Sequence, residues 1–209
     1  MLKKIFHYIS LLKFKILWRK LNNSNHTVAG NIFPIHLVRV GSNSYGVVNI
    51  RYWKHPKEGL SIGAYVSIAE NVIFILGGNH TTTGYMTYPL HTMRGCYTSD
   101  DSYSKGPIVI EDDVWIGFGS IILSGVTIGR GSVIAAGSIV TKSFPAFSVI
   151  AGNPAKLIKR RLSDEQISLI KDMHIESLKL EKLTDKDVDL FYQQPDSINV
   201  LEIKKILTR

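Results

Sequence analysis

The sequence predicts a mainly β chain wound as a solenoid, and three observations carry that expectation. Ile110, Ile116, Ile122, Ile128, Ile134 and Val140 recur at a constant spacing of six. Ile62, Ile68 and Phe74 repeat the spacing upstream, with Val66 and Val72 at the small positions between them. A period of six fits neither the 3.6-residue turn of an α-helix nor the two-residue alternation of a strand. It fits short strands joined by tight corners, three hexads to a coil, with the aliphatic residues stacked inside.

Taken in chain order, residues 1–22 read as a basic amphipathic helix. Leu2, Ile5, Phe6, Ile9, Leu12 and Ile16 recur at helical spacing, while Lys3, Lys4, Lys13, Lys15, Arg19 and Lys20 bring six positive charges and no acid, against +8 for the whole chain. Such a helix either docks on its own protein or a partner subunit, or lies on an anionic membrane face. Lys13 intrudes on the apolar side and favours docking. The segment has the outline of a signal peptide, but Lys13 and Lys15 break its apolar region and no small-residue cleavage site follows, so export is not expected. No apolar stretch reaches the ~18–20 residues that span a bilayer. The basic residues are neither spread over a face nor interleaved with stacking aromatics, which argues against nucleic acid as a partner.

Residues 36–155 are assigned to a solenoid of about four to five coils. Residues 36–61 read as a degenerate first coil with an insertion near "KHPKEG". Residues 76–108 fit no hexad, contain Gly84, Gly95, Gly106, Pro89 and Pro107, and must leave the coil and return; a loop of this length in a compact domain is usually functional or disordered. Within the repeat, Val114, Ser120, Val126, Ser132 and Ser138 hold the small positions. Past "AGNPAKLIKRR" the pattern becomes helical, over residues 156–209. Ser163 with Gln166 and Thr184 with Asp187 resemble N-terminal caps, and helices are expected near 164–175, 185–193 and 197–207, covering the open end of the solenoid. A small solenoid has flat outer faces, and burying one of them in a symmetric trimer is a natural solution.

The motifs "SIGAYVSI", "GGNH", "YPL", "DVWIG", "GVTIG", "AAGSIVTK" and "AGNPAKLIKRR", spread over about residues 36–175, resemble the hexapeptide-repeat acyltransferases. Among these the xenobiotic acetyltransferase branch is the nearest in motif, a branch that includes chloramphenicol and streptogramin acetyltransferases and surface-polysaccharide O-acetyltransferases. The resemblance implies a left-handed parallel β-helix, acetyl-coenzyme A as co-substrate, no metal, and a homotrimer with the coenzyme between subunits. His80, after the glycine-asparagine turn, matches the family's catalytic base; a histidine suits the role because its ordinary pKa lies near neutrality. Trp115, Gly117 and Ala136 match positions along the pantetheine channel, and Thr141, Lys142, Lys156 and Lys159 match those around the nucleotide and its phosphates. Lysines serve there as mobile point charges.

Drug-modifying members continue "YDW" or similar after the histidine and close with an aromatic-rich segment; "TTTGYMTYPL" and "KDMHIESLKL" stand here instead. The expected acceptor is therefore a hydroxyl of a cell-surface polysaccharide or its sugar precursor. An antibiotic hydroxyl, an amine on a nucleotide sugar, and a non-catalytic solenoid scaffold are the alternatives. Asn79, Tyr45, Trp53, Tyr85 and Tyr88 are candidates to shape the acceptor site, the aromatics as walls for a sugar ring. His91, in the same loop, is a further candidate to orient substrate or base.

Other chemistry is less well supported. His7, His26, His36, His55 and His174 lack metal-ligand spacing, which argues against a zinc lyase built on a hexapeptide solenoid. Cys96, the only cysteine, allows no internal disulfide and has no evident basic partner to activate it. It fits a cytoplasmic setting, at the inner membrane face if the N-terminal helix touches lipid. Glu111, Asp112 and Asp113 are consecutive corner residues and read as solvated.

Overall fold

The computed structural model describes residues 2–96 and 101–208. Met1, residues 97–100 of the excursion expected at 76–108, Arg209 and the side chain of Leu2 lie outside the described residues. The chain forms two compact units, residues 1–159 and 160–209.

The first unit is a parallel solenoid. After helix α1 (Leu2–Leu21) and strand β1 (His26–Ala29), the first coil runs through β2 (Val38–Val40) and β3 (Tyr45–Arg51), and the second through β4 (Leu60–Ile62), β5 (Ser67–Ile68) and β6 (Ile73–Ile75). A short helix, α2 (Leu90–Met93), lies in the excursion that follows. The third coil is β7 (Ile108–Ile110), β8 (Trp115–Ile116) and β9 (Ile121–Leu123), the fourth β10 (Thr127–Ile128), β11 (Val133–Ile134) and β12 (Ile139–Val140), and the stack ends in β13 (Ser148–Gly152) and β14 (Ala155–Arg160). The strand pairs between successive coils are parallel. They form three faces: β2, β4, β7 and β10 on one; β1, the start of β3, β5, β8, β11 and β13 on the second; the end of β3, β6, β9 and β12 on the third.

The register explains the hexad. Ile62, Ile110, Ile128 and Phe144 lie directly over one another on the first face. Ile68, Ile116, Ile134 and Ile150 do so on the second, and Ile50, Phe74, Ile122 and Val140 on the third. All twelve are buried. Each full burial of such a side chain stabilises the fold by roughly 1.5–3 kcal/mol. Corner backbone is bound by the serines of the repeat: Ser120 Oγ donates to the carbonyls of Gly117 and Ala135, and Ser132 Oγ accepts from Ser148 N.

Several expectations change. Strand pairing begins at residue 26, because β1 pairs with β3, upstream of the degenerate coil read from residue 36. Asp112 is half-buried rather than solvated, and its Oδ1 accepts from Ala64 N at 2.7 Å. Glu111 and Asp113 are exposed as expected, with Glu111 Oε2 accepting from Arg130 N at 2.8 Å, so that Asp112 and Glu111 each tie one corner to that of a neighbouring coil. The chain at residue 156 is still strand, in β14.

Helix α1 docks through its C-terminal half. Trp18 is fully buried, its indole donates to Thr27 Oγ1 at 3.2 Å, and its ring and that of Phe14 meet Phe33 edge-on at 5.3 and 5.0 Å. Asn25, also buried, accepts from Thr27 N and Thr27 Oγ1. In the second unit, capping boxes at Ser163 and Thr184 start α3 (Asp164–Ile170) and α4 (Asp185–Phe191), and α5 (Asn199–Leu207) packs Val200 and Ile203 with Met173. Helix α3 stops at Ile170 rather than near 175 because the chain turns there, Met173 N donating to Ile170 O, to bring Met173 into that cluster.

Replacing Ile122 by Ala, in the middle of the third-face stack, is expected to lower stability by about 2–5 kcal/mol, read as a shifted midpoint in urea unfolding.

Candidate functional site

The excursion leaves the solenoid through two glycines that have no room for a side chain. A Cβ on Gly78, whose φ is +77°, would lie 2.8 Å from the Trp53 ring, and one on Gly77 would lie 2.3 Å from Glu58 Oε1. Glu58 is itself buried, and its carboxylate accepts from Trp53 N at 2.8 Å and Lys54 N at 3.0 Å. The insertion between β3 and β4 is therefore a built corner against which the Gly77-Gly78 turn packs. Sequence reasoning placed the insertion but missed Glu58; the only signal was an acid beside a glycine at the end of "KHPKEG".

Asn79 closes the base of the excursion. Its backbone exchanges two hydrogen bonds with Tyr103, and its side-chain amide donates to Tyr103 O at 3.0 Å and Ser124 Oγ at 3.1 Å. With both amide hydrogens committed to the protein, Asn79 clamps the outgoing and returning strands to the third coil. Its carbonyl is the side-chain atom left for a ligand.

His80 stands immediately beyond this clamp and is exposed. Its Nδ1 lies 2.9 Å from the backbone carbonyl of Thr87. A carbonyl oxygen can only accept, so Nδ1 carries the proton, and in the neutral ring the lone pair is on Nε2. The loop thus folds back to hold one ring nitrogen and leaves the other for chemistry. Thr87 had no sequence signal, because a backbone carbonyl leaves no trace in side-chain identity.

The remaining candidates sort by edge and face of the solenoid. Trp53 lies against Gly78, beside His80's turn. Tyr88 adjoins Thr87, and Tyr85 projects fully into solvent from the same loop. Tyr45 is elsewhere: it opens β3 on the second face, pairing with Ser67, which pairs in turn with Trp115. Gly117 and Ala136 meet at the corner joining the second face to the third, where a Cβ on Gly117 would lie 2.6 Å from Ala136 N. Trp115 leads into that corner, half exposed. Thr141 and Lys142 follow β12 at the opposite edge of the third face, the edge from which His80 departs two coils earlier. Lys142 Nζ sits 5.7 Å over the Phe144 ring. Lys156 and Lys159 are exposed on β14, where the strand pleat turns them to opposite sides. His91 lies in α2, and its carbonyl accepts from Cys96 N. No group of three or more metal-ligating side chains occurs among the described residues.

Residues 107–142 match the bacterial transferase hexapeptide family, described as six repeats. Over 118 residues the chain is 46% identical to a probable macrolide acetyltransferase of Lysinibacillus sphaericus, a match covering 53% of this chain and 65% of that protein. Over 130 residues it is 38% identical to a chloramphenicol acetyltransferase of Klebsiella aerogenes, covering 59% and 62%. The matches thus span just under two thirds of these relatives' own lengths. Among solved structures, a hexapeptide-repeat acetyltransferase of Vibrio cholerae in complex with acetyl-coenzyme A superposes with a TM-score of 0.55 at 29% identity, over 71% of this chain and 76% of that one. A galactoside acetyltransferase in complex with coenzyme A, at 24% identity and a TM-score of 0.50 over 78% and 82%, shares the fold. The resemblance read from the sequence holds: the chain carries a bacterial transferase hexapeptide repeat and is similar to hexapeptide-repeat acetyltransferases.

The hydrogen bond to Thr87 fixes a tautomer that can be observed directly. Long-range ¹H–¹⁵N NMR of the His80 ring, in its neutral form, should show the proton on Nδ1; a proton on Nε2 is incompatible with the contact.

Proposed function

We propose that the protein is an acetyl-coenzyme A-dependent O-acetyltransferase with His80 as general base. The observation that carries this reading is the His80 ring held at Nδ1 by the Thr87 carbonyl, with Nε2 free, on a chain similar to an enzyme solved with acetyl-coenzyme A. Nε2 takes the proton of the acceptor hydroxyl as its oxygen attacks the thioester carbonyl carbon. The tetrahedral intermediate then expels the coenzyme A thiolate, which takes that proton from the imidazolium. The products are an acetyl ester and free coenzyme A, and no acyl-enzyme is needed.

We place the pantetheine arm along Trp115, Gly117 and Ala136, with Thr141, Lys142, Lys156 and Lys159 toward the nucleotide and its phosphates. The residues suit this in size and charge: Ala136 presents only a methyl group, and the lysines are exposed. Because Lys156 and Lys159 point to opposite sides of β14, they would serve different phosphates or different subunits. Gly117 and Ala136 lie on the other edge of the third face from His80, so one copy would offer the base and its neighbour the channel. From the second coil onward the outer side of that face is aliphatic, with Ile73, Ile121 and Ile139 in one registered row and Ile75 and Leu123 in another, and Asn49 and Arg51 at the first-coil ends of the rows. Both features support a homotrimer.

The acceptor we favour is a hydroxyl of a cell-surface glycan or its sugar precursor. It rests on "TTTGYMTYPL" and "KDMHIESLKL" standing where drug-modifying enzymes carry other sequences, with Trp53, Tyr85, Tyr88 and the Asn79 carbonyl available around His80. An antibiotic hydroxyl is the second reading, favoured by the names of the macrolide and chloramphenicol relatives. An acceptor screen with mass spectrometry separates the two.

His80→Ala should lower turnover ~10²–10⁴-fold while coenzyme A binding by calorimetry and the assembly mass stay unchanged; full activity in that variant would overturn the assignment. Lys142→Ala should raise KM for acetyl-coenzyme A by about 5–10-fold, the loss of one charge-assisted contact, with kcat nearly constant.

A further inference from the structure

Helix α1 carries two apolar faces, and the solenoid covers one. At about 100° per residue, Leu11, Phe14 and Trp18 share the side that docks toward Phe33. Ile5, Ile9, Leu12 and Ile16 form a stripe on the opposite side, exposed by 50%, 42%, 43% and 71%. Docking accounts for the first set and leaves the second unexplained. No described helix is long and apolar enough to cross a membrane.

Charge distinguishes the surfaces that could cover the stripe. Lys13, which interrupts the wider apolar pattern that includes Phe6, borders the narrower stripe together with Lys20 on one side, and Lys4 and Lys15 border it on the other. Arg19 donates to the Thr27 carbonyl, and the helix contains no acidic residue. Pairing with the same stripe of a second copy would set basic rows against basic rows, and like charges across a helix interface are destabilising. An anionic bilayer surface meets both features at once. The isoleucines and leucine enter the boundary between headgroups and acyl chains, while the lysine stems reach back to the phosphates. We infer that the uncovered face of α1 binds an anionic lipid surface, with the helix lying in the plane of the membrane and the solenoid held beside it through Trp18 and Phe14.

The inference is independent of the acetyl-transfer reading and is tested without acetyl-coenzyme A. The full chain is sedimented with vesicles of phosphatidylcholine alone and with about 30% phosphatidylglycerol. Binding is expected to the anionic vesicles, falling about tenfold when salt is raised to roughly 0.5 M. The double variant Ile9→Gln with Ile16→Gln and the double variant Lys4→Gln with Lys13→Gln should each weaken it about tenfold. All four side chains are exposed, so melting temperature and assembly mass should not change. Equal binding to both vesicle types, or to neither, overturns the proposal. So does a smaller assembly mass in the isoleucine variant, which would make the stripe a subunit contact, or retention on immobilised poly-glutamate without vesicle binding, which would point to an acidic protein.

Discussion

The structure depends on the registered stacking of aliphatic side chains from one coil onto the next. Ile68 over Ile116 over Ile134 over Ile150 is one such column, and two more run parallel to it. A strand of two or three residues cannot hold together alone; its backbone is paired only because the coils above and below keep the same pitch. That pitch requires a sharp corner every six residues. Asp113, Gly119, Gly125, Gly131 and Gly137 supply it, each with positive φ at the same point of successive hexads. Where a residue with a side chain takes this position, as Tyr65 and Phe147 do, left-handed backbone costs about 1–2 kcal/mol, which the columns offset.

Such a regular stack confines irregular chain to places where the coil can open. Register partners lie 18 residues apart between the third and fourth coils and 48 apart between the second and third, so the excursion inserts without disturbing a single column. Asn79 and Tyr103 pinch it closed at its base, and the buried Glu58 stiffens the corner on which it turns. His80 is therefore an exposed side chain on a rigid footing. That combination suits a base that must reach a substrate lying against another surface, and a histidine stacked inside the coil could not do it.

The chain also leaves apolar surface in two distinct settings. The third face of the solenoid presents rows of aliphatic side chains, Ile73, Ile121 and Ile139 in one and Ile75 and Leu123 in the other, with Asn49 and Arg51 at their first-coil ends. The outer stripe of α1 is apolar too, but bounded along its length by basic residues, and the complement we infer for it is anionic. The two surfaces differ in how much basic charge lines them, one arginine at the end of a row on the solenoid and several lysines along the helix.

The sequence by itself determined the solenoid, because a six-residue period over Ile110 to Val140 admits few other folds, and it marked the excursion by the failure of that period. The capped starts of α3 and α4 were equally legible, since capping is local chemistry between residues three apart. Contacts between residues distant in sequence were decided only by the tertiary structure. Asp112 reaches back to Ala64 and Asn79 forward to Ser124, and each spans more than forty residues for a single hydrogen bond. The pairing of β1 with β3, the two faces of α1 and the placement of Tyr45 away from His80 belong to the same class. A period shows which side chains point inward; which neighbours they meet depends on how many residues the chain spends between coils, and that is settled when the coils stack.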